Sequence, residues 1–416
     1  MGKRVGVIGA GMVGIAAASW LQRDGHDVFV LDPGGPGEAT SFGNAGFLSG
    51  GSVVPMSMPG TVRNVPRWLL DPLGPLSIRW RYLPALAPWL IRFVHAGTPA
   101  RVAAQARALR SLLGPTVDTV LPLARDAGCA DLIRRSGTLT LYRSEAAFKK
   151  DGLGWKLRRD NGVVVTELNA DELRQYDPTL SREFVRGALV EENGHIGNPH
   201  RLVQSLAAAL VRNGSAIHRA RAIDFDLDGG RIKAIRTDTG AFPCDAAVIA
   251  AGAWSKALTT RLGDNVPLET ERGYHIMIKD PEVRPRLPLM DGEGKFAVTP
   301  METGLRFAGT VELAGLKAPP DWRRAKILLE QGRRILPGLA AEYPEERLSM
   351  WMGHRPSLPD SLPCIGPSRL SPDVIYAFGH GHVGMAGAPV TGRLVADLVA
   401  GRKPLIDAAP FSAQRF

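Results

Sequence analysis

The alternation of apolar and polar positions divides the chain into short strands and amphipathic helices. Uninterrupted apolar runs at 5–8 and 28–31 predict two strands, and small apolar residues at 15–21 predict a helix between them. Similar patterns predict a helix over 101–127 bent at Gly114-Pro115, a strand over 138–142, a helix beginning at Asn198-Pro199, strands over 216–250, antiparallel strands over 266–312, a helix over 321–336 and a final strand, loop and helix over 374–398. Strand–helix pieces thus stand at the beginning, middle and end of the chain, with antiparallel pieces between them.

A glycine-rich turn joins the first strand to the first helix. Its glycines follow the G-x-G-x-x-G pattern, and an aspartate closes the second strand about 20 residues later. The first glycine permits the tight turn, the second lets a pyrophosphate approach the backbone, and the third allows helix and strand to pack closely. The helix N-terminus offers free N–H groups to phosphate. The unit predicts a dinucleotide site formed by Gly9, Gly11, Met12, Val13, Gly14 and Asp32.

The loop after the second strand consists of small and hydroxyl-bearing residues. Thr40 and Ser41 can bond phosphate, while Asn44, Ala45 and Gly46 leave room for the backbone to approach a flat ligand. We expect this loop to belong to the same ligand site.

Composition and charge narrow the class of protein. The 416 residues exceed what one core usually holds, which predicts two domains. A formal charge of +10 favours anionic substrates or an anionic membrane surface, and the scattered basic residues disfavour nucleic acid. Cys129, Cys244 and Cys364 have neither metal-site nor disulfide spacing. We predict no metal, no cleaved leader and no membrane-spanning helix, since no run of about 20 uncharged apolar residues occurs.

The segment 53–99 is rich in tryptophan. Groups around Trp68, Trp80 and Trp89 are separated by prolines and interleaved with arginines. One interpretation is an interfacial element with aromatic rings and arginines at the level of lipid headgroups. The alternative, which we favour, is a packed helical insertion that covers the active site.

The order of the nucleotide-fold segments along the chain helps to decide between NAD and FAD as the bound dinucleotide. An NAD-dependent dehydrogenase usually carries its nucleotide fold in one contiguous block. Here the nucleotide-fold pieces are interleaved with antiparallel pieces, which favours FAD.

At this point the chain resembles the D-amino-acid oxidase superfamily of FAD-dependent oxidoreductases, and within it the bacterial D-amino-acid dehydrogenases. The matching segments are 9–32, 41–46, 250–255, 272–275, 353–356 with 359–360, and 379–385. The resemblance implies an α/β plus α+β fold, in which a discontinuous, doubly wound FAD-binding domain (1–52, 187–265 and 345–416) accompanies an antiparallel-sheet substrate domain with a helical insertion (53–186 and 266–344).

The resemblance also implies roles for particular residues. Arg355 would bind the substrate carboxylate through its guanidinium fork, Tyr274 could donate to the same carboxylate, and His382 could face the substrate. Further FAD contacts would come from Ala251, Gly252, Trp254, Gly379, Gly381, His382, Val383, Gly384 and Met385. Non-covalent FAD is expected because Cys364, the cysteine nearest to the attachment position of covalently flavinylated relatives, reads as a core residue. The sequence names no catalytic base.

Three functions fit this pattern. The first is a D-amino-acid dehydrogenase that moves a hydride from Cα to flavin N5 and passes electrons to a quinone or carrier, with D-proline or cis-4-hydroxy-D-proline as narrower substrate candidates. The second is a glycine- or sarcosine-oxidase-like enzyme that uses oxygen, and the third is the flavin subunit of a hetero-oligomeric amine dehydrogenase. We expect a cytoplasmic protein, with peripheral contact at the inner face of the cell membrane as an alternative.

Overall fold

The computed structural model describes residues 2–60, 74 and 76–416. These residues form strands in four sheets. The strands are β1 Arg4–Ile8, β2 Asp27–Asp32, β3 Phe47–Leu48, β4 Leu76–Ile78, β5 Ile133–Arg134, β6 Thr138–Tyr142, β7 Thr166–Asn169, β8 Arg186–Val190, β9 Gly194–Ile196, β10 Ala216–Arg219, β11 Ala222–Asp228, β12 Arg231–Thr237, β13 Gly240–Pro243, β14 Ala246–Ile249, β15 Glu269–Ile278, β16 Leu289–Asp291, β17 Ala297–Met301, β18 Gly304–Leu313, β19 Leu348–Ser357, β20 Cys364–Pro367 and β21 Val374–Phe378.

The α-helices account for most of the remaining regular structure. They are Met12–Arg23, Leu83–Ala96, Pro99–Leu113, Thr116–Asp126, Glu145–Lys150, Gly152–Asp160, Ala170–Tyr176, Pro199–Arg212, Ser255–Arg261, Arg323–Ile335 and Gly384–Ala400. The predicted break at Gly114-Pro115 separates two of them. Asn198 caps another, because its side chain accepts a hydrogen bond from the backbone N–H of Arg201 at 3.1 Å.

A six-stranded sheet forms the nucleotide-binding half. Its order is β10-β2-β1-β14-β21-β20, with every pair parallel except the edge pair of β20 and β21. The chain passes from β1 to β2 on one side, and it returns on the other side of β1 through β14. In such doubly wound sheets, ligands bind where the strand order reverses, outside the carboxyl ends of the strands. The glycine-rich turn after β1 lies at this point.

A nine-stranded, mostly antiparallel sheet forms the other half. Its main path runs β19-β15-β18-β17-β16-β6-β8-β7, and β4 pairs with β18. The predicted boundary at 187 falls inside β8, and the predicted boundary at 345 assigns β19 to the nucleotide-binding half, although both strands belong to this sheet. The hydrophobic pattern of these strands does not distinguish them from strands of the parallel sheet. Two three-stranded sheets, β11-β12-β13 and β3-β9-β5, complete the fold.

The first and last helices pack together against the six-stranded sheet. A Cβ on Gly392 would lie 2.7 Å from the backbone of Ala16, so glycine is needed where the helices cross. Of the described residues, the stretch Gly381–Ala400 has the length and hydropathy of a membrane span, but its apolar part is 72% buried inside the protein. It is the core helix of this half.

The tryptophan-rich segment is only partly covered by the described residues, since Trp68 and its neighbours lie outside them. Trp89 is buried and stacks on Phe93 with ring centroids 5.2 Å apart. Trp80 is 67% exposed and Ile91 61% exposed. The helix Leu83–Ala96 therefore has a packed inner face, as the insertion interpretation predicts, and an apolar outer face, which keeps the interfacial interpretation open.

Candidate active site

One large cavity, of about 2120 Å³, runs between the six-stranded sheet and the nine-stranded sheet. At one end it is bounded by the turn after β1 and by Asp32, and at the other by the inner face of the nine-stranded sheet. The cavity therefore joins the predicted nucleotide site to the predicted substrate site without interruption.

The glycines of the first turn have the backbone environments that their predicted roles require. Gly9 has φ +109°, and a Cβ there would lie 2.4 Å from the carbonyl oxygen of Ala250. A Cβ on Gly14 would lie 1.9 Å from the carbonyl oxygen of Gly9, which confirms close packing of helix on turn. Around Gly11 the space is open, since an added Cβ would meet only Ser41 Oγ, at 3.4 Å. A pyrophosphate has room to approach there.

Asp32 lies in the cavity wall beside the glycine-rich turn after β1. Its Oδ2 accepts the N–H of Ala10 at 2.8 Å and its Oδ1 accepts the N–H of Gly34 at 2.7 Å. Each carboxylate oxygen keeps capacity for a further hydrogen bond. These two bonds hold Asp32 against the glycine turn and leave it able to accept from ribose hydroxyls.

Ser41 and Thr40 differ in what they can offer to a phosphate. Ser41 Oγ accepts the N–H of Met12 at 2.9 Å, so its own proton is free for a ligand. Thr40 donates its proton to the carbonyl of His354 at 2.7 Å, so it cannot donate to phosphate at the same time. The structure supports the predicted phosphate contact for Ser41 and gives Thr40 an anchoring bond.

The rest of this loop is held from the nine-stranded sheet. Buried Arg306 donates to the carbonyl of Asn44 at 2.5 Å. His275 Nδ1 lies 3.1 Å from the carbonyl of Gly43, and its ring stacks on Trp351. Burial, helped by the charge of Arg306, lowers the pKa of His275 to about 3. Arg306 is not among the predicted site residues, because its position behind the loop depends on long-range pairing that the sequence does not display.

The loop between β21 and the last helix forms the opposite wall. Gly381, His382, Val383, Gly384 and Met385 all line the cavity, at the N-terminus of the helix Gly384–Ala400. The helix N-terminus carries partial positive charge and favours an anionic group in front of it. These five predicted contacts therefore face the ligand space.

Three predicted cofactor contacts do not line the cavity. They are Gly14, Gly46 and Gly379, which are absent from its wall among the described residues. Gly46 and Gly379 have φ +76° and +86°, and a Cβ on either would lie within 2.6 Å of another residue. These glycines shape the backbone behind the wall. All the other predicted cofactor residues line it, including Ala251, Gly252 and Trp254 from the turn after β14.

Arg355 lies at the substrate end of the cavity. Its Nη1 donates to the carbonyl of Thr310 at 2.8 Å and its Nη2 makes a weaker bond to the carbonyl of Gly309 at 3.4 Å. The guanidinium lies across Gly273, where a Cβ would be 2.1 Å from Cζ. A guanidinium has five N–H donors, so donors remain for an anionic ligand. Burial lowers the pKa of Arg355, and the carboxylate of Glu271 opposes this.

A backbone irregularity in β18 makes this arrangement possible. The pairing of β15 with β18 shifts register between Arg272 and Tyr274. Thr310, in the shifted part of β18, has φ +57°, which is unusual for a β-branched residue. Bulges re-aim groups near active sites, and here the carbonyl of Thr310 is directed at Arg355.

Glu271 is a site residue that the sequence did not reveal. It is 4% exposed, lines the cavity and lies opposite Arg355 in the pairing of β15 with β19. His382 Nε2 lies 2.6 Å from its Oε2, and Ser357 Oγ donates to its Oε1 at 2.7 Å. Burial by itself raises the pKa of Glu271, but His382, Ser357 and Arg355 together hold it below its usual value. The only sequence signal was its place two residues before Gly273.

Tyr274 lines the cavity, but its hydroxyl is engaged elsewhere. It donates to Glu312 Oε2 at 2.5 Å and accepts the N–H of Asp321 at 3.0 Å. Burial, reinforced by Glu312, raises its pKa to about 12. A substrate carboxylate could receive this proton only if Glu312 gave it up. Donation from Tyr274 to substrate stays a prediction that this hydrogen bonding does not favour.

Two further residues near the cavity, His380 and Cys364, have structural roles. His380 is buried and bonded to Thr391 at 2.8 Å, and burial lowers its pKa to about 3. Cys364 is fully buried and absent from the cavity wall, as the core interpretation predicts. Burial raises the pKa of its thiol to about 12. Among the described residues, no group of three or more potential ligands could hold a metal ion.

The residues present fit FAD on several independent observations. The open backbone at Gly11 and the free Ser41 proton suit a pyrophosphate, Asp32 suits a ribose, and the loop 381–385 offers a helix N-terminus further along the same cavity. The distance between these groups is bridged by one continuous space. Cys364 lies outside that space, which suits a cofactor held without a covalent bond.

Comparison with known proteins agrees with this geometry. The family described as DAO: FAD dependent oxidoreductase matches residues 4–398. A D-amino-acid oxidase of Bradyrhizobium diazoefficiens is 49% identical over 100% of this chain and 99% of its own length, and a D-amino acid dehydrogenase of Rhizobium rhizogenes is 30% identical over 99% and 100%.

Solved structures share the fold at lower identity. L-proline dehydrogenase from P. horikoshii covers 100% of this chain and 98% of its own, with a TM-score of 0.75 and 18% identity. Glycine oxidase from Geobacillus kaustophilus covers 100% and 99%, with a TM-score of 0.74 and 22% identity. The predicted fold class is confirmed, and the chain belongs to the DAO family of FAD-dependent oxidoreductases.

Proposed function

We propose that this protein oxidises D-amino acids at Cα, with Arg355 binding the substrate carboxylate. The observation that carries the proposal is a guanidinium with donors to spare, facing the cavity that also contains the cofactor loops. Together with the neighbouring carboxylate of Glu271, Arg355 gives this end of the cavity a positive and a negative group side by side. A zwitterionic α-amino acid carries the complementary pair of charges.

The side chains of the pocket would orient the substrate. A bidentate contact with Arg355 fixes the carboxylate and limits rotation about the bond to Cα. Bound FAD would supply the chemistry, accepting at N5 the hydride that leaves Cα. The resulting imino acid then reacts with water to give a 2-oxo acid and ammonia, whereas a proline-like substrate leaves as a cyclic imine.

The names of the relatives support the D-configuration for the substrate, and they suggest two candidate electron acceptors. The relative that is 49% identical is named an oxidase, and relatives near 30% are named dehydrogenases. The higher identity favours oxygen as the acceptor, while a quinone or carrier protein is the alternative. D-proline and cis-4-hydroxy-D-proline stay narrower substrate candidates, and the shared fold with a proline dehydrogenase does not select them.

The test is anaerobic reduction of the FAD-loaded protein by a panel of compounds. The panel contains D- and L-amino acids, both prolines and N-methylglycine, and bleaching of the flavin absorbance is recorded. D-amino acids should bleach the flavin and their enantiomers should not. Reduction by N-methylglycine alone, or by L-amino acids, would contradict the proposal. Peroxide formation in air then distinguishes oxygen from a quinone as acceptor.

A peripheral membrane location is a separate proposal. It is supported by exposed Trp80 and Ile91 beside exposed Arg81 and Arg92. Aromatic and basic side chains together suit an anionic lipid surface. Co-sedimentation with anionic vesicles tests it, and failure to bind at low salt would contradict it.

A further inference from the structure

Glu271 and His382 form a pair in the wall of the substrate end of the cavity, and the proposed function gives the contact between them no role. The contact joins His382 Nε2 to Glu271 Oε2 at 2.6 Å, between the loop after β21 and the strand β15. Glu271 is buried, whereas the His382 side chain is 32% exposed. The carboxylate is therefore held in place, and the imidazole reaches open space.

The geometry determines which nitrogen of His382 is available. A carboxylate accepts hydrogen bonds, so Nε2 carries the proton that points to Glu271. In the neutral ring, Nδ1 then has a free lone pair, and the described residues offer it no hydrogen-bond partner. A carboxylate that fixes the tautomer and orientation of a histidine is the arrangement by which histidine acts as a base.

The chemistry of the proposed reaction requires that the ammonium group of the substrate lose a proton, either to solvent before binding or to a group of the pocket. At neutral pH an amino acid carries an ammonium group, whose nitrogen has no lone pair. A C=N bond can form only after one proton leaves the nitrogen. Arg355 cannot accept a proton, and both oxygens of Glu271 already take part in contacts with His382 and Ser357.

We propose that His382 accepts the ammonium proton of the substrate and that Glu271 is the positioning residue that orients it. This inference rests on the proposed function. The N–H bond breaks and its proton moves to Nδ1, so that the imidazole becomes positive beside the Glu271 carboxylate. The lone pair left on nitrogen can then form the C=N bond as the Cα hydrogen leaves with its electron pair, for which bound FAD would be the acceptor. The exposed edge of His382 later releases the proton to solvent.

Among the residues that the structure describes, few charged or polar groups face this pair. Ser357 donates to the second oxygen of Glu271, and Arg355 lies opposite Glu271 in the pairing of β15 with β19. On the loop of His382 itself, His380 is bonded to Thr391 and buried. The following helix contributes the apolar Met385 and Ala386 to this wall. Arg355 and Glu271 carry opposite charges. Of the two, the Glu271 carboxylate is the one in hydrogen-bond contact with the His382 ring.

The first test is the pH dependence of kcat/KM in the FAD-loaded enzyme. Wild type should be level between pH 7 and 9, because the enzyme removes the proton. In His382→Gln, kcat/KM should fall about 100-fold at pH 7 and then rise about tenfold per pH unit, following the fraction of substrate already neutral in solution. Glu271→Gln should show the same slope with a smaller loss. A loss of equal size at every pH would overturn the inference.

A second test does not depend on turnover. 2-Methylalanine has the carboxylate and the amine but no Cα hydrogen, and pivalate has a methyl group in place of the amine. Their dissociation constants are measured from the change in flavin absorbance. His382→Gln should weaken 2-methylalanine by about tenfold or more, since a charge-assisted bond is worth ~1.5–3 kcal/mol, and should leave pivalate unchanged. Equal weakening of both would show that the substitution merely disturbs the pocket.

A matched control is available in a second histidine–glutamate contact. His200 Nε2 lies 2.9 Å from Glu38 Oε1, and His200 is outside the cavity wall. His200→Gln should keep the wild-type pH profile. If wild type itself is reduced by no D-amino acid, the proposed function fails. If wild type is reduced but the His382→Gln profile stays level, only the inference about His382 fails.

Discussion

Replacement of Arg355 tests the substrate site most sharply. In Arg355→Lys the charge stays but the fork is lost, and in Arg355→Ala both disappear. The guanidinium uses two contacts on the carbonyls of Thr310 and Gly309 and has other donors left for substrate. A charge-assisted hydrogen bond is worth ~1.5–3 kcal/mol, so each lost substrate contact should lower kcat/KM by about 10- to 150-fold. Two contacts and the orientation they impose make the loss in Arg355→Ala about two to four orders of magnitude.

The loss of activity in Arg355→Ala would also include an indirect effect on Glu271. Arg355 also stabilises the ionised form of Glu271, so Arg355→Ala raises the pKa of that carboxyl relative to wild type. Arg355→Lys keeps the charge and separates the two effects. The assay is anaerobic flavin reduction by a D-amino acid and by its amide, which lacks the carboxylate. Amides should be poor substrates of wild type and should lose far less on mutation. Equal losses on acid and amide would refute a carboxylate contact, and loss of FAD would show a structural role.

Three other predictions concern the cofactor site and acid stability. Gly11→Val should fill the open space at the first helix and abolish FAD retention on a desalting column. The control Gly152→Val, at a helix start with nothing within 4 Å of an added Cβ, should retain FAD. Normal FAD retention by Gly11→Val would contradict the pyrophosphate assignment. Arg306→Met should weaken FAD binding about tenfold or more through the lost bond to Asn44, measured by fluorescence titration, and unchanged affinity would contradict its anchoring role. Burial holds the pKa of His275 and of His380 at about 3, below the ordinary 6.5. The unfolded chain therefore binds more protons than the folded one below pH 6.5, and the free energy of unfolding should fall there by up to ~1.4 kcal/mol per pH unit for each histidine. A melting temperature that stays constant from pH 7 to 5 would contradict this.

Local patterns were sufficient to predict the nucleotide half. The roles of Gly9 and Gly14 depend on a strand, a turn and a helix that are adjacent in sequence, and Asp32 ends the next strand. Each could be recognised from spacing alone. The predicted boundary at 345 separates β19 from β15, its pairing partner about 80 residues earlier, because periodicity does not reveal which strands pair.

The substrate end required the tertiary structure. Arg355 was identified through its resemblance to a family motif, but its contact with Thr310 depends on a bulge in β18. Glu271 became visible only when β15 paired with β19 and the last loop placed His382 beside it. A lone glutamate in a strand carries no sequence signal for such a role.

The isotope dependence of flavin reduction tests the central claim most directly. The FAD-loaded protein is mixed anaerobically with a D-amino acid that reduces it, and with the same compound carrying deuterium at Cα, and bleaching is followed in a stopped-flow instrument. If the Cα hydrogen leaves as proposed, the deuterated compound should reduce the flavin several-fold more slowly, while the L-enantiomer should leave it oxidised. Reduction at the same rate by both enantiomers, or no reduction by any D-amino acid, would contradict the account.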